Sequence, residues 1–530
     1  MFRPGSSQKS IREHPLQLRS TMFNPVNSRS KIVVLSLVVL VCTYTIYLVA
    51  SGEHEALLDK ATVWQQETLC RDRSQAQGPV TAIQAKLLPE HVLDRYNNRM
   101  ACDLCQPDDE FCLAIGEHNI AQSVGYEGSN FRLERLFHKL QNGQPITISV
   151  VGGSNSAGHG LFYDGWPDEY ASPGNMHYRV YEWIKERFPH EGHRFVNGAI
   201  PGATTELFAF CFPEQIPEES DLVLVEFAVN DPLLTSSAVS YERLLRGLMD
   251  LPNKPAIINL NVFSLTFATI GLGETQHQAV AHYYDTPVIS IRNLLLPGMF
   301  KNASRIPDWF FVGNENGKQI IDTRHIAFAA HKTMANLTAT YMSRVLCKME
   351  ERERLKEIGI ELRRSRPEFP AWDELAEIPK WPLMSHYKAD APPMPKLSPV
   401  CLSTTSKKNP LRQQNDGGWV EWSWKDKKYI VGRKPGEKVQ FKFKTVVGTV
   451  ALFYQRSRKY GLGVARCWVD DDTDRMMYLD GYWEHDVSIP DMTEVRGDLE
   501  EGEHVLNCEI NVDTNDPGGG TEFRITTLVA

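Results

Sequence analysis

Four short segments of this 530-residue chain carry the side-chain types that acyl transfer needs. The first, GGSNSAGHG (152–160), follows the apolar run ITISVV (146–151), so a glycine-rich turn stands where a strand ends and a helix begins. Something must approach that backbone closely. A serine on such a turn exposes its Oγ at the strand end and aims its own N–H at the space where an oxyanion forms, which suits Ser154 to nucleophilic attack. The second segment, NGAIPG (197–202), ends on Gly202, whose bare backbone N–H suits the same oxyanion. The third places Asn230 and Asp231 after LVLVEFAV, with the Asn230 amide as a side-chain donor. In the fourth, DTRH (322–325), the spacing lets Asp322 hold Nδ1–H of His325 while Nε2 takes the proton of Ser154. The predicted set is therefore Ser154, Asp322 and His325 as catalytic residues, with Ser154, Gly202 and Asn230 as the oxyanion hole.

Other uses of these residues compete. A phosphate-cradling loop needs G-x-x-x-x-G-K-[ST]; Gly153 and Gly158 have the glycine spacing, but His159-Gly160 replaces the lysine and hydroxyl. No G-x-G-x-x-G is present for a dinucleotide, and no G-x-S-x-G elbow for the other common serine-esterase architecture. Ser154 can cap the following helix, and Asn230-Asp231-Pro232 can be an ordinary turn. Asp322 can pair with Arg324. Gly198 stands four residues before Gly202, and His159, His277 and His331 are alternative bases. Glu226, on the same strand as Asn230, reads as a strand-end partner of a nearby base. No cofactor or metal is called for.

The elements that must position these groups are legible between Pro145 and Leu346. ITISVV (146–151), RFVNGA (194–199), DLVLVEFAV (221–229), PAIINLNVF (255–263) and TPVISI (286–291) alternate with helical stretches at 176–188, 240–250 and 326–346. Fully apolar strands alternating with helices predict a parallel α/β sheet buried on both faces, with ligands at the carboxyl ends of its strands. From 349 to 408 the chain is charged and then proline-rich, a helix running into a linker. Beyond it, short β-branched and aromatic runs between Gly, Asp and Pro turns predict a second domain, an all-β sandwich over 409–530.

With these residues in view, the chain resembles the SGNH (GDSL-like) hydrolase superfamily over roughly 145–346. Ser154 is similar to its block I serine, Gly202 to the block II glycine, Asn230 to the block III asparagine, and Asp322 with His325 to the block V Asp-x-x-His. The resemblance implies a flavodoxin-like three-layer α/β/α fold for 141–348. The chain departs from the family in reading Gly153 where Asp is frequent, Ala228 where Gly is frequent in block III, and no proline after His325. The β region is similar to galactose-binding-like jelly rolls in strand pattern. Its Trp419, Trp422, Trp424, Trp468 and Trp483, with Tyr482, suit either core packing or a sugar-stacking platform.

Before these domains, Ile32–Ala50 is an uncharged apolar run long enough to cross a membrane. Six basic residues and one acid precede it, and Glu53, Glu55 and Asp59 follow, so 1–31 is expected as a cytosolic basic tail and 32–50 as a single-pass type II signal anchor. A cleaved signal peptide fits the long preceding region poorly. A helical stem is expected over 51–140. The bulk of the chain then faces the lumen or the exterior of the secretory pathway, where nine cysteines beyond Cys42 favour disulfides, Cys467 with Cys508 first. Cys102, Cys105 and Cys112 suggest a zinc knuckle less than disulfides, since no histidine except His118 stands at ligand spacing and the fourth ligand would be distant. Asn302 and Asn336 head N-glycosylation tripeptides.

A formal charge of −9 gives no global field to hold nucleic acid. The expected function is a membrane-anchored serine O-acyl or O-acetyl esterase acting on carbohydrate or similar esters. A glycan O-acetyltransferase with the same residues, and a glycan-binding scaffold without catalysis, are the alternatives.

Overall fold

Uninterrupted apolar runs become central strands here because both faces of the sheet are covered. The computed structural model describes residues 102–105, 109–161, 170–315, 317–362, 378–387, 390, 397–415, 417–424, 427–446, 448–485 and 488–530. The expected tail, membrane span and Cys70 lie outside them. Among the described residues no helix is long and apolar enough to cross a membrane.

In chain order the first domain contains α1 (Glu110–Ile115), α2 (Glu117–Ser123), β1 (Val124–Tyr126), α3 (Phe131–Gln141), β2 (Thr147–Gly152), α4 (Ser154–Ala157), α5 (Met176–Arg187), β3 (Arg194–Asn197) and α6 (Thr205–Gln215). It continues through β4 (Leu222–Glu226), α7 (Thr235–Met249), β5 (Ala256–Asn261), α8 (Gly273–Tyr283), β6 (Val288–Ser290), α9 (Arg292–Lys301), β7 (Phe310–Glu315), β8 (Lys318–Ile326) and α10 (Phe328–Glu357). The main sheet has the order β1-β6-β5-β4-β2-β3. Its strands β2 to β6 are parallel, and β1 is an antiparallel edge on β6. Counted along the parallel strands alone, this is 2-1-3-4-5, the doubly wound flavodoxin-like arrangement. Alternate strand residues serve the two faces. Ile148, Val150, Leu222, Leu224, Ile258 and Leu260 pack with α3, α5 and α10, whereas Val151, Val223, Val225 and Ile257 pack with α6, α7 and α8. The α/β/α layering is thereby built.

The sheet layer reaches outside 141–348. Leu133, Leu136, Phe137 and Leu140 of α3 lie in its core, and Cys102–Cys347 ties the chain before α1 to α10. The segment 110–140, expected as part of a separate stem, is instead a packed layer of this domain because its apolar stripe has to be covered. Cys105–Cys112 closes a short loop beside it. The expected linker also gives up both ends: α10 runs to Glu357, and Cys401–Ser403 is a strand of the second domain.

That domain contains β9 (Cys401–Ser403), β10 (Val420–Trp424), β11 (Lys427–Gly432), β12 (Lys438–Thr445), β13 (Val450–Arg456), β14 (Val464–Val469), β15 (Met477–Asp480), β16 (Ile489–Arg496), β17 (Gly502–Ile510) and β18 (Phe523–Val529). One antiparallel sheet runs β10-β11-β18-β13-β16 with β9 also on β18; the other runs β12-β17-β14-β15. Val439, Phe441 and Phe443 alternate inward along β12 and meet Leu452, Ile525 and Leu528 of the first sheet in one core. Cys467 and Cys508 face each other across β14 and β17 and are bonded. The tryptophans do not form one platform. Trp419 is buried against Phe523 and donates Nε1–H to the Glu437 carbonyl, and Trp468 stands on the sheet opposite Trp422 and Trp424.

Helix α6 and the sandwich meet directly. Ala209, Phe210 and Cys211 pack with Cys401, Ala451, Phe453 and Val529, and Cys211–Cys401 crosses the contact.

Candidate active site

At the carboxyl end of β2 the chain turns through Gly152 and Gly153 into the single helical turn α4, with Ser154 as its first residue. The turn needs its glycines because its surroundings are full. A Cβ on Gly152 would strike the Ser156 side chain, and one on Gly153 would strike the Asn230 amide. As the first residue of α4, Ser154 has a backbone N–H with no partner inside the helix.

His325 reaches this turn from an element whose sequence suggests a loop. Residues 322–325 lie on β8, the second strand of a hairpin with β7. His325 Nε2 lies 2.9 Å from Ser154 Oγ, and Nδ1 lies 2.6 Å from Asp322 Oδ2. The other Asp322 oxygen accepts the backbone N–H of Arg324 at 2.9 Å. Burial works to raise the Asp322 pKa, but the bond from His325, its charge and the Arg324 N–H outweigh it and hold the carboxyl below its ordinary value. Asp322 does not pair with the Arg324 guanidinium, which lies over the Phe267 ring.

Asn230 follows a tight turn after β4, its N–H bonded to the Phe227 carbonyl. Its Nδ2 donates one proton to the Ala203 carbonyl at 2.7 Å, leaving the second free of that bond. Asn230 therefore touches both the Gly153 turn and the 200–203 loop. Gly202 in that loop has φ +80, a conformation that favours glycine. Gly198 is a different case: its N–H bonds the Val150 carbonyl and its α-carbon packs against Gln215, so it belongs to the sheet.

The alternative bases are accounted for. His277 is buried, bonded to Asp231 at 2.7 Å and stacked on Tyr241. His331 is buried, accepts the Met176 N–H, and is pushed down to about 3, chiefly by burial and then by the charge of His325. His159 lies edge-on to His325, with ring centroids 5.4 Å apart. Glu226 has no cationic side-chain partner among the described residues; it accepts from Ser156 Oγ at 3.0 Å, and burial pushes it up to about 7.

Sequence reasoning missed two supports. The Asn155 side chain accepts the Ile326 N–H at 3.0 Å and donates to the Arg324 carbonyl at 3.4 Å, gripping β8 on both sides of His325. Behind it, Ser156 Oγ also meets His177 Nε2 at 2.9 Å, and the Ser156 carbonyl accepts from Asn175 and Asn197 at 2.8 Å each. No local sequence signal marks these contacts, because each partner is far along the chain. Among the described residues no group of His, Cys, Asp and Glu has the spacing to hold a metal ion. Asn302 is exposed, whereas Asn336 is half-buried within α10.

No protein-family model matches the sequence, and no curated protein matches it. Solved structures do share its fold. A two-domain esterase active on acetylated mannans, co-crystallised with mannopentaose, aligns at 18% identity over 78% of this chain and 97% of that one, with a TM-score of 0.55. A second crystal structure of such an esterase covers 78% of this chain and 98% of its own, at 18% identity and a TM-score of 0.56. The chain thus has a two-domain fold also found among esterases.

Proposed function

We propose that this chain is a serine O-acyl esterase of the SGNH type, acting on acetylated glycans through a covalent acyl-enzyme. The observation that carries the reading is His325, hydrogen-bonded to Ser154 on one ring nitrogen and to Asp322 on the other. Ser154 Oγ attacks the ester carbonyl as His325 Nε2 takes its proton, and Asp322 stabilises the imidazolium. The oxyanion meets N–H donors from Ser154, Gly202 and Asn230. Collapse expels the sugar alkoxide, which takes the proton from His325; a water then repeats the sequence and releases acetate and free serine. The shared fold of the acetylated-mannan esterases supports a glycan ester as substrate.

The compartment follows the same reading. Four disulfides suit an oxidising secretory lumen, and Ile32–Ala50 would hold the enzyme there as a type II anchor.

Turnover of a small acetate ester by the full chain, together with labelling by a fluorophosphonate probe, tests the chemistry. Ser154→Ala and His325→Ala are each expected to lower kcat by orders of magnitude, and the label is expected on Ser154. Undiminished turnover in Ser154→Ala overturns the assignment. Protease added to sealed microsomes is expected to remove only the basic tail; digestion of the large fragment overturns the topology.

A further inference from the structure

Between the α/β layer and the sandwich lies a cleft of ≈ 920 Å³. On one side it is lined by His159, the edge-on neighbour of His325, and by Ile200, Pro201 and Ala203, which flank Gly202. On the other, the sandwich presents Lys407, Lys408, Lys427 and Lys428 with a row of hydroxyls that includes Thr404, Thr405 and Thr527. The cleft therefore joins the surroundings of the nucleophile to a cationic, hydroxyl-rich wall.

That wall is a local exception in a chain of net charge −9. All four lysines are exposed, and among the described residues no carboxylate is ion-paired with any of them. The acid that lines the cleft, Glu214, is already engaged: it accepts from Ser406 Oγ at 2.6 Å and from the Asn409 amide. The walls are fixed by the Cys211–Cys401 bond and by the apolar contact beneath it. A rigid cleft with unneutralised ammonium groups suits an anionic group carried on a sugar chain, since neutral sugar recognition does not call for four ammonium groups on one wall.

We propose that this cleft is an anionic-saccharide subsite, which binds carboxylate or sulfate groups on the same polymer whose ester is presented to Ser154. The proposal rests on the esterase reading for the identity of the polymer, but its test reads binding alone. Full-length Ser154→Ala protein is run in gels containing de-esterified polygalacturonate, a sulfated galactan or neutral mannan, at low and high salt. Retardation by one or both anionic polymers, relieved by salt and absent with mannan, is expected. Which polymer retards the protein identifies the anion as carboxylate or sulfate. Lys407→Gln/Lys408→Gln and Lys427→Gln/Lys428→Gln are each expected to weaken binding about tenfold or more, with an unchanged melting temperature showing that they fold. Lys442→Gln, on the opposite sheet, is expected to bind as the parent does. Equal binding of mannan, unchanged affinity in folded lysine variants, or an equal loss in Lys442→Gln overturns the subsite. Esterase activity surviving Ser154→Ala removes the catalytic reading while leaving the binding result intact.

Discussion

The side-chain carbonyl of Asn155 accepts the backbone N–H of Ile326 at 3.0 Å, so the residue next to Ser154 holds the residue next to His325. The two elements whose side chains meet at hydrogen-bond distance are thereby pinned by a bond one residue away from each of Ser154 and His325. Asn155→Ala is expected to lower kcat on a small ester by roughly 10–100-fold with little change in KM, because misplacing the base acts on the transition state. Asn155→Asp keeps the acceptor and is expected to recover part of kcat. A fall in melting temperature with normal kcat in the folded fraction would make Asn155 a packing residue only.

Gly153 and Asn230 form a second coupled pair. The Asn230 amide occupies the space where a Gly153 side chain would stand, so a glycine at this position makes room for that amide. Asn230→Ala is expected to cost ~10²–10³ in kcat, the usual loss for one oxyanion donor. Gly153→Ala is expected to lower kcat by displacing the same amide. The double variant then falls short of the product of the two single losses. Fully multiplicative losses in a double-mutant cycle would separate the two positions.

How much of this is legible depends on where each signal resides. ITISVV, DLVLVEFAV and PAIINLNVF are continuous apolar runs because helices cover both faces, and composition alone reveals that. Helix α6 is not legible. Its sequence TELFAFCFPEQ carries an internal proline and no polar stripe, since one side faces Val225 and Phe227 and the other the sandwich. Strand β8 reads as a loop because its exposed and half-buried residues show no alternation. The pairing of Ser154, Asp322 and His325 can be anticipated from residue types and order. The Asn155 bond cannot, because its partner is 171 residues away and any polar turn residue looks alike from the sequence.

Glu226 gives a pH prediction with a definite sign. Burial raises its pKa from 4.5 to about 7, so the folded state holds one more proton than the unfolded chain between those values. Stability from this group is present at low pH and is lost as pH rises through that window. His177, which shares Ser156 with it, is pushed down to about 3 by burial and then by the His331 charge, and works in the opposite sense below its ordinary value. Comparing Glu226→Gln with the parent cancels the histidine contribution. Relative to its offset from the parent near pH 4, the variant is expected to gain about 3 kcal/mol by pH 8, because each pH unit between the two pKa values contributes ~1.36 kcal/mol. Denaturant unfolding at both pH values checks this, and a gap that does not change with pH removes the buried, protonated carboxyl from the account.

The Cys211–Cys401 bond links residues 190 apart in sequence and crosses from α6 to β9. Closing so long a loop restricts the unfolded chain strongly, and removing the bond is expected to cost about 2–5 kcal/mol. The bond does more than stabilise, because both cysteines line the cleft between the domains. In Cys211→Ser/Cys401→Ser the apolar contact of Phe210 with Phe453 and Val529 still holds the domains together, but less firmly. In the proposed mechanism turnover of a small ester uses Ser154, His325 and Asp322, all within the first domain, and it is expected to stay near the parent value below the melting temperature. With the cleft as the proposed subsite, turnover of an acetylated polymer is expected to fall, mainly through KM. Melting temperature and the two kcat/KM values on one purified variant measure this. Equal losses on both substrates would mean that the bond shapes the nucleophile turn itself, and no loss on either would mean that the domains keep their arrangement without it.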